Sequence, residues 1–198
     1  MRISIINMSK AQDKYLKSLK DPIWCTETHF GSILDNLFGQ NLVKRKQLLK
    51  IDGKIRKPDF IIELDNPVIV EFDGWQHFTK CEQAFKDLKY DDYFSILSNY
   101  KTIRLPYFIQ PTKEVIKFLF KEIIRDTNFN SDFSNNFPHG FIHPKALCPG
   151  DFCFLGLFRF LKDMKSFPIE VKNQVKKSLK MRSTLSEIPL NALNPMNF

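Results

Sequence analysis

Residues 57–77 read KPDFIIELDNPVIVEFDGWQH and contain two apolar runs, 60–64 and 68–73. The turn residues at 65–67 separate the runs, and Gly74 ends the second. Short apolar runs bounded by turn residues are typical of buried β-strands. This stretch therefore predicts two neighbouring strands joined by a tight connection.

Helices and further strands are predicted on both sides of this pair. Thr26 is a suitable N-cap for an amphipathic helix over 27–38, and Gly39 follows it as a stop signal. Asp52-Gly53 predicts a hairpin turn after an extended run at 41–51. The remaining predictions are a helix at 79–99, a strand at 101–105 and a helix at 111–125. This order favours an α/β (α+β) fold, a central mixed four-stranded sheet flanked by helices.

The chain has 198 residues, 43% of them hydrophobic and 20 of them Phe, which is enough for a substantial core. The amino-acid composition changes after residue 125: 126–136 is rich in Asn, Asp and Ser, and 137–198 is rich in Pro, Phe and Lys. We expect a core at 1–125, a linker or loop at 126–136 and a mainly helical C-terminal appendage at 137–198.

The formal charge of +8 favours polyanionic partners, although a merely basic soluble protein fits it as well. The N-terminus lacks a secretory signal pattern, and no apolar run approaches the roughly 18 residues that span a bilayer. We expect a cytoplasmic protein without a membrane segment. Four Cys in a chain of this length do not indicate a disulfide framework.

Carboxylates occupy the facing ends of the two central strands. Asp59 precedes the first strand and Glu71 lies near the end of the second, so antiparallel pairing would place them across from each other. Glu71 and Asp73 share one face, while the Phe72 side chain points away and leaves its carbonyl as a ligand. Mg²⁺ often binds one or two carboxylates plus water and phosphate. We predict Asp59, Glu71 and the Phe72 carbonyl as metal ligands; the alternative is a solvated face of an edge strand.

A glycine turn after Asp73 would fold His77 back towards these carboxylates. There it could orient a phosphate, bind water or donate to a leaving group, although a lone His is often structural. A further candidate, Gln76, lies beside it.

These residues resemble the PD-(D/E)XK nuclease superfamily, and within it the branch of very-short-patch-repair endonucleases and their small relatives. Members of that branch often read Pro-Asp-Phe and then Glu-x-Asp-Gly-x-x-His; this chain has Pro58-Asp59-Phe60 and then EFDGWQH at 71–77. The branch carries a Glu in its first helix, matched by Glu27, and an acidic helix before a strand ending in Arg, similar to Asp91-Asp92 and Arg104. The resemblance covers roughly residues 24–125.

The resemblance implies a restriction-endonuclease-like fold and hydrolysis of double-stranded DNA with Mg²⁺, for which Mn²⁺ can substitute. It implies catalytic roles for Asp59 and Glu71, with Glu27 as a supporting or second-metal carboxylate. The superfamily's Lys would fall at position 73, where this chain has Asp73. Asp73 could bind a second metal or position water, with His77 or Gln76 assisting.

Basic residues surround the predicted site and are candidates for DNA contacts. Lysines on an edge hairpin can also serve only to prevent aggregation, and the basic stretch at 172–182 can be simply a solvated helix face. The predicted DNA-contacting residues are Lys44, Lys54, Arg56, Lys57 and Arg104.

A structural Zn²⁺ held by His139, His143, Cys148 and Cys153 is the weaker interpretation of the C-terminal segment, because the spacing is looser than in common zinc motifs. A Phe-rich packing or target-reading appendage is favoured. For the whole chain we predict a site-specific type II restriction enzyme acting as a homodimer. The alternatives are a strand-nicking enzyme of mismatch-repair type, the small subunit of a two-chain nuclease, or a non-catalytic nucleic-acid-binding module.

Overall fold

The computed structural model describes residues 25–51, 53–97, 100–124 and 151–182. It is a mixed α/β structure, as predicted. In chain order the elements are α1 (Glu27–Phe38), β1 (Val43–Arg45), β2 (Leu49–Ile51), β3 (Lys54–Arg56), β4 (Phe60–Ile62), β5 (Val68–Asp73), α2 (Gln76–Thr79), α3 (Cys81–Leu97), β6 (Lys101–Pro106), α4 (Lys113–Leu119), α5 (Phe154–Ser166) and α6 (Ile169–Arg182).

The predicted mixed four-stranded sheet is confirmed, in the order β1-β4-β5-β6. β4 pairs antiparallel with both β1 and β5, and its register places Phe60 opposite Val70. β6 runs parallel to β5, with Arg104 beside Glu71. β5 is thus hydrogen-bonded on both sides. This central position explains why Val68, Ile69 and Val70 are all buried.

The extended run predicted over 41–51 is two strands and not one. β1 belongs to the main sheet, whereas β2 and β3 form a separate two-stranded ribbon. Of the predicted turn, Gly53 lies between them and residue 52 lies outside the described residues. Lys46, between β1 and β2, has a φ of 51°, a left-handed conformation that turns the chain out of the sheet. Gly53 adopts a φ of 74°, as a tight turn requires.

The helices follow their capping signals. Thr26 caps α1 by accepting a hydrogen bond from the His29 amide at 3.2 Å, and Gly39 ends the helix. The helix predicted at 79–99 is preceded by the short α2, and the one predicted at 111–125 is limited to α4, which Thr112 caps. Among the described residues, no helix combines the length and apolar character needed to cross a membrane.

The C-terminal helices share the core of the sheet. Phe160 and Phe108 have ring centroids 5.6 Å apart, and both are fully buried. α5 approaches α2 so closely that a Cβ at Gly156 would lie 1.7 Å from the Phe78 carbonyl oxygen. Only glycine fits such a contact. The linker predicted at 126–136 lies outside the described residues.

Candidate functional site

The antiparallel pairing of β4 and β5 brings Asp59 and Glu71 together, as their positions predict. The Asp59 amide donates to Glu71 Oε2 at 3.2 Å, and the Phe72 amide donates to Asp59 Oδ2 at 2.9 Å. Each carboxylate is therefore oriented by the backbone of the opposite strand segment. We refer to Asp59 and Glu71 as the carboxylate pair. The Phe72 ring packs on the other side of the sheet, 6.0 Å from Phe30 of α1.

Lys46 links this pair to the first helix. Its ammonium contacts Asp59 Oδ1 and lies 2.8 Å from Oε1 of Glu27, while its amide donates to the Asp59 carbonyl at 3.0 Å. Desolvation lowers the pKa of Lys46, but hydrogen bonds to the two carboxylates outweigh it and leave the pKa raised. Glu27, the supporting carboxylate that the resemblance implies, is thus linked to Asp59 through Lys46. Lys46 was not predicted as a site residue, because nothing in the basic run at 44–46 distinguishes it.

Arg56 neutralises the other member of the pair. Its guanidinium is buried and lies 2.5 Å from Glu71 Oε1, with the ring of Tyr90 5.8 Å away. Burial raises the pKa of Glu71; attraction to Arg56 and Arg104 opposes this rise, and repulsion from Asp59 adds to it. The net result is a raised pKa, which a bound cation would lower again.

A second group of charges lies on the same face of the sheet, beneath α3 and α5. We call Asp73, His77, Asp87, Arg104 and Arg159 the buried charge cluster. Asp73 has no exposed surface, and its oxygens lie 2.6 Å from Arg104 and 2.5 Å from Arg159. The sequence predicted that Asp73 acts together with Asp59 and Glu71. In the structure, two arginines compensate its negative charge instead.

Three members of this cluster could hold a metal ion. Asp73, His77 and Asp87 offer ligand atoms that all lie within 4.8 Å of one another. His77 Nδ1 is 2.7 Å from Asp87 Oδ2 and 3.3 Å from Asp73 Oδ1. Desolvation lowers the pKa of His77, but the hydrogen bond that its ring donates to Asp87 and the negative charges of Asp73 and Asp87 outweigh it and raise the pKa. His77 therefore belongs to a buried charge group that its two carboxylate neighbours hold in place.

Arg159 enters the cluster from the C-terminal helix α5. It is only 2% exposed, its second guanidinium nitrogen lies 2.6 Å from Asp87, and its charge lies 5.0 Å from the Phe78 ring centroid. The glycine contact between Gly156 and Phe78 brings α5 near enough for this reach. Sequence reasoning missed Arg159; the available signal was one arginine in the aromatic run FLGLFRF, residues 154–160.

Asp163 lies one helical turn beyond Arg159 and faces the same charges. Its Oδ2 is buried and has no hydrogen-bond partner among the described residues. Burial raises the pKa of Asp163 to about 7; the arginines of the cluster oppose the rise, and Asp73 and Asp91 add to it.

The predicted DNA contacts divide into exposed and internal residues. Lys57 is exposed, and Lys44 is half-buried and lies 3.5 Å from Glu63. Arg56 and Arg104 are paired with carboxylates inside the protein, Arg104 with Asp91 at 2.7 Å. The side chain of Lys54 lies outside the described residues, and Gln76 is exposed at the start of α2.

Of the four residues considered as zinc ligands, only Cys153 is described. It caps α5, and its Sγ accepts a hydrogen bond from the Gly156 amide at 3.3 Å. His139, His143 and Cys148 lie outside the described residues. Comparisons of the chain with protein-family models, curated proteins and solved structures gave no match.

Proposed function

We propose that the chain is a Mg²⁺-dependent endonuclease that hydrolyses phosphodiester bonds of double-stranded DNA. The observation that carries this proposal is the carboxylate pair, in which Asp59 and Glu71 are each fixed by the other's backbone segment. Lys46 and Arg56 offset the cost of holding two acidic groups this close, and a divalent cation can take the place of the exposed lysine. The exposed lysines nearby suit a polyanionic substrate.

The donor atoms of the carboxylate pair suit a hard divalent cation. Asp59, Glu71 and the Phe72 carbonyl offer oxygen only, which is the ligand type that Mg²⁺ and Mn²⁺ prefer. When bound, such an ion would polarise the phosphate and lower the pKa of an attacking water. In the alternative metal group two largely buried arginines, Arg104 and Arg159, contact both oxygens of Asp73. The lysine at the carboxylate pair is half-exposed and is more easily displaced by a cation, which favours the pair.

Residues around the pair have distinct proposed roles. Lys46 neutralises Asp59 and Glu27 while no divalent cation is bound. When a cation is bound, Lys46 contacts a DNA phosphate. Asp73 anchors Arg104 and Arg159, so its proposed role is to position the strand end and not to activate water. The hydrogen bond between His77 Nδ1 and Asp87 fixes the orientation of the imidazole ring. It thereby fixes the direction of Nε2, whose proposed role is to contact a phosphate oxygen.

Cleavage of supercoiled plasmid DNA with Mg²⁺, Mn²⁺ or EDTA tests the proposal. We expect the wild-type chain to cut with either metal ion and not with EDTA. Asp59→Asn should lose at least about 100-fold in rate, because it removes a charged ligand without changing shape. The same variant should still bind a DNA duplex, measured by fluorescence anisotropy in Ca²⁺.

Glu63→Gln is the matched control, since Glu63 is an exposed carboxylate just after β4, and its ion-pair partner within the described residues is Lys44 at 3.5 Å. It should cut at the wild-type rate. If Asp59→Asn cuts as fast as Glu63→Gln, the site assignment is wrong. If the wild-type chain cuts no DNA with either metal ion, the enzymatic proposal fails as a whole.

The plasmid products also distinguish the kinds of endonuclease. A site-specific restriction enzyme gives linear DNA with defined ends, and we propose a homodimer for it because each strand needs an active site. A nicking enzyme, or the small subunit of a two-chain nuclease, gives open circles from a monomer. Gel filtration beside the cleavage assay separates the two.

One observation favours a non-catalytic nucleic-acid-binding module as the second candidate. Lys46 and Arg56 already neutralise the carboxylate pair without a metal ion. If these cations occupy the pair permanently, the chain will bind duplex DNA but will bind neither Mg²⁺ nor Mn²⁺. Titration calorimetry with Mn²⁺ decides, because a catalytic site must take up the ion and Asp59→Asn must weaken that uptake.

A further inference from the structure

The ribbon formed by β2 and β3 has two chemically different faces. Leu49 and Arg56 lie opposite each other, and Arg56 anchors this inner face to Glu71 of the carboxylate pair. Lys50 and Ile55 also lie opposite each other, and both are exposed. Because side chains alternate along a strand, the exposed pair defines an outer face.

The outer face combines cations with unusually exposed apolar side chains. Leu48 is 65% exposed and Ile55 62%, although both are large aliphatic residues. By the alternation of side chains, Lys50 and Lys57 lie on the same face as these two residues, and both are exposed. Single exposed apolar residues need no explanation, but two on one face with two lysines form a combined surface. The four residues Leu48, Lys50, Ile55 and Lys57 are called the outer ribbon face.

We propose that the outer ribbon face enters the major groove of a DNA duplex. The major groove is about 12 Å wide and admits a two-stranded β-ribbon. The lysines of the face meet the phosphates, and its aliphatic side chains meet the C5-methyl group of thymine. The inner face holds the ribbon against Glu71, so the duplex is delivered to the carboxylate pair. This inference rests on the proposed function.

Binding to two duplexes that differ only in the C5-methyl groups of their thymines tests the proposal. The first is a 30-base-pair alternating A·T duplex, and the second carries deoxyuridine in place of every thymidine. With EDTA present to prevent cleavage, the wild-type chain should bind the thymine duplex about threefold to fourfold more tightly, the effect of burying one methyl group. A ribbon in the minor groove would not sense the methyl group.

Two apolar variants locate the effect. Ile55→Ser should bind both duplexes equally. Leu48 lies outside the strands, so Leu48→Ser should reduce the preference for thymine without weakening the ribbon itself. Lys50→Ala should weaken binding to both duplexes alike and lower the slope of log affinity against log salt by about 1. Phe154→Ser, at an 82% exposed site on α5, is the matched control and should change nothing.

The inference is wrong if the wild-type chain shows no preference for thymine, or if Ile55→Ser and Leu48→Ser both keep it. It is also wrong if Phe154→Ser removes the preference as well. These results leave plasmid cleavage and its loss in Asp59→Asn intact, so they concern the ribbon alone. A wild-type chain that neither binds nor cuts duplex DNA overturns the proposed function together with this inference.

Discussion

Replacing Arg159 with Met should destabilise the protein strongly, although Arg159 lies far along the chain from the residues it contacts. The substitution keeps most of the side-chain volume and removes the charge. It withdraws one partner from Asp73 at 2.5 Å and one from Asp87 at 2.6 Å, both of them buried. Removing one partner of a buried ion pair costs about 3–5 kcal/mol, because the other charge remains uncompensated.

The structure places this substitution at the lower end of that range. Asp73 keeps Arg104, and Asp87 keeps His77, so neither carboxylate is left alone. We therefore expect a loss of about 3 kcal/mol in the free energy of unfolding, or roughly 6–12 °C in Tm for a domain of this size. Arg159→Lys keeps the charge but not the two-pronged geometry, so it should lose less.

Urea denaturation followed by circular dichroism measures this loss. Lys44→Ala is the control, because it breaks the half-exposed pair with Glu63 and should cost less than about 1 kcal/mol. If Arg159→Met loses no more than Lys44→Ala, the buried charge cluster does not stabilise the fold and its proposed anchoring role is wrong.

Three further predictions follow from other contacts. Gly156→Ala should lower the free energy of unfolding by more than about 2 kcal/mol, since its Cβ would meet the Phe78 carbonyl at 1.7 Å; an unchanged Tm in calorimetry would contradict this packing. Asp163→Asn should stabilise the chain at pH 8 by about 1–3 kcal/mol, because the pKa of Asp163 is raised from 3.8 to about 7 and the native state must ionise a buried carboxyl. Its advantage over wild type should grow from about pH 4 to about pH 7 and then stay constant, and an advantage independent of pH would refute the cause given. Lys46→Ala should bind Mn²⁺ roughly fivefold more tightly in calorimetry, since a competing ammonium at a half-exposed pair is worth about 1 kcal/mol; equal or weaker binding would show that Lys46 does not compete.

Local patterns in the sequence were sufficient to predict the frame of the site. Apolar runs bounded by turn residues predicted β4 and β5, and their antiparallel pairing places Asp59 beside Glu71. Capping residues predicted the limits of α1, and with them the position of Glu27. These features depend on alternation, turn chemistry and capping, which act over a few residues and are therefore visible in the sequence.

The partners of the charged residues could not be predicted in this way. The run at 41–51 looked like one strand, and only the left-handed backbone at Lys46 divides it and directs the ammonium between Asp59 and Glu27. Asp73 was predicted to bind a second metal or to position water; it joins His77 and Asp87 in a group that could hold a metal ion, and Arg104 and Arg159 compensate its charge.

The sequence alone thus determined where the carboxylates lie on their strands, because strand periodicity and turns are local. Only the tertiary structure decided which cations meet them. Arg159 is 86 residues from Asp73 along the chain and reaches it because Gly156 lets α5 pack directly on α2. Such pairing depends on how distant elements pack, and a buried charge takes whichever partner that packing brings within reach.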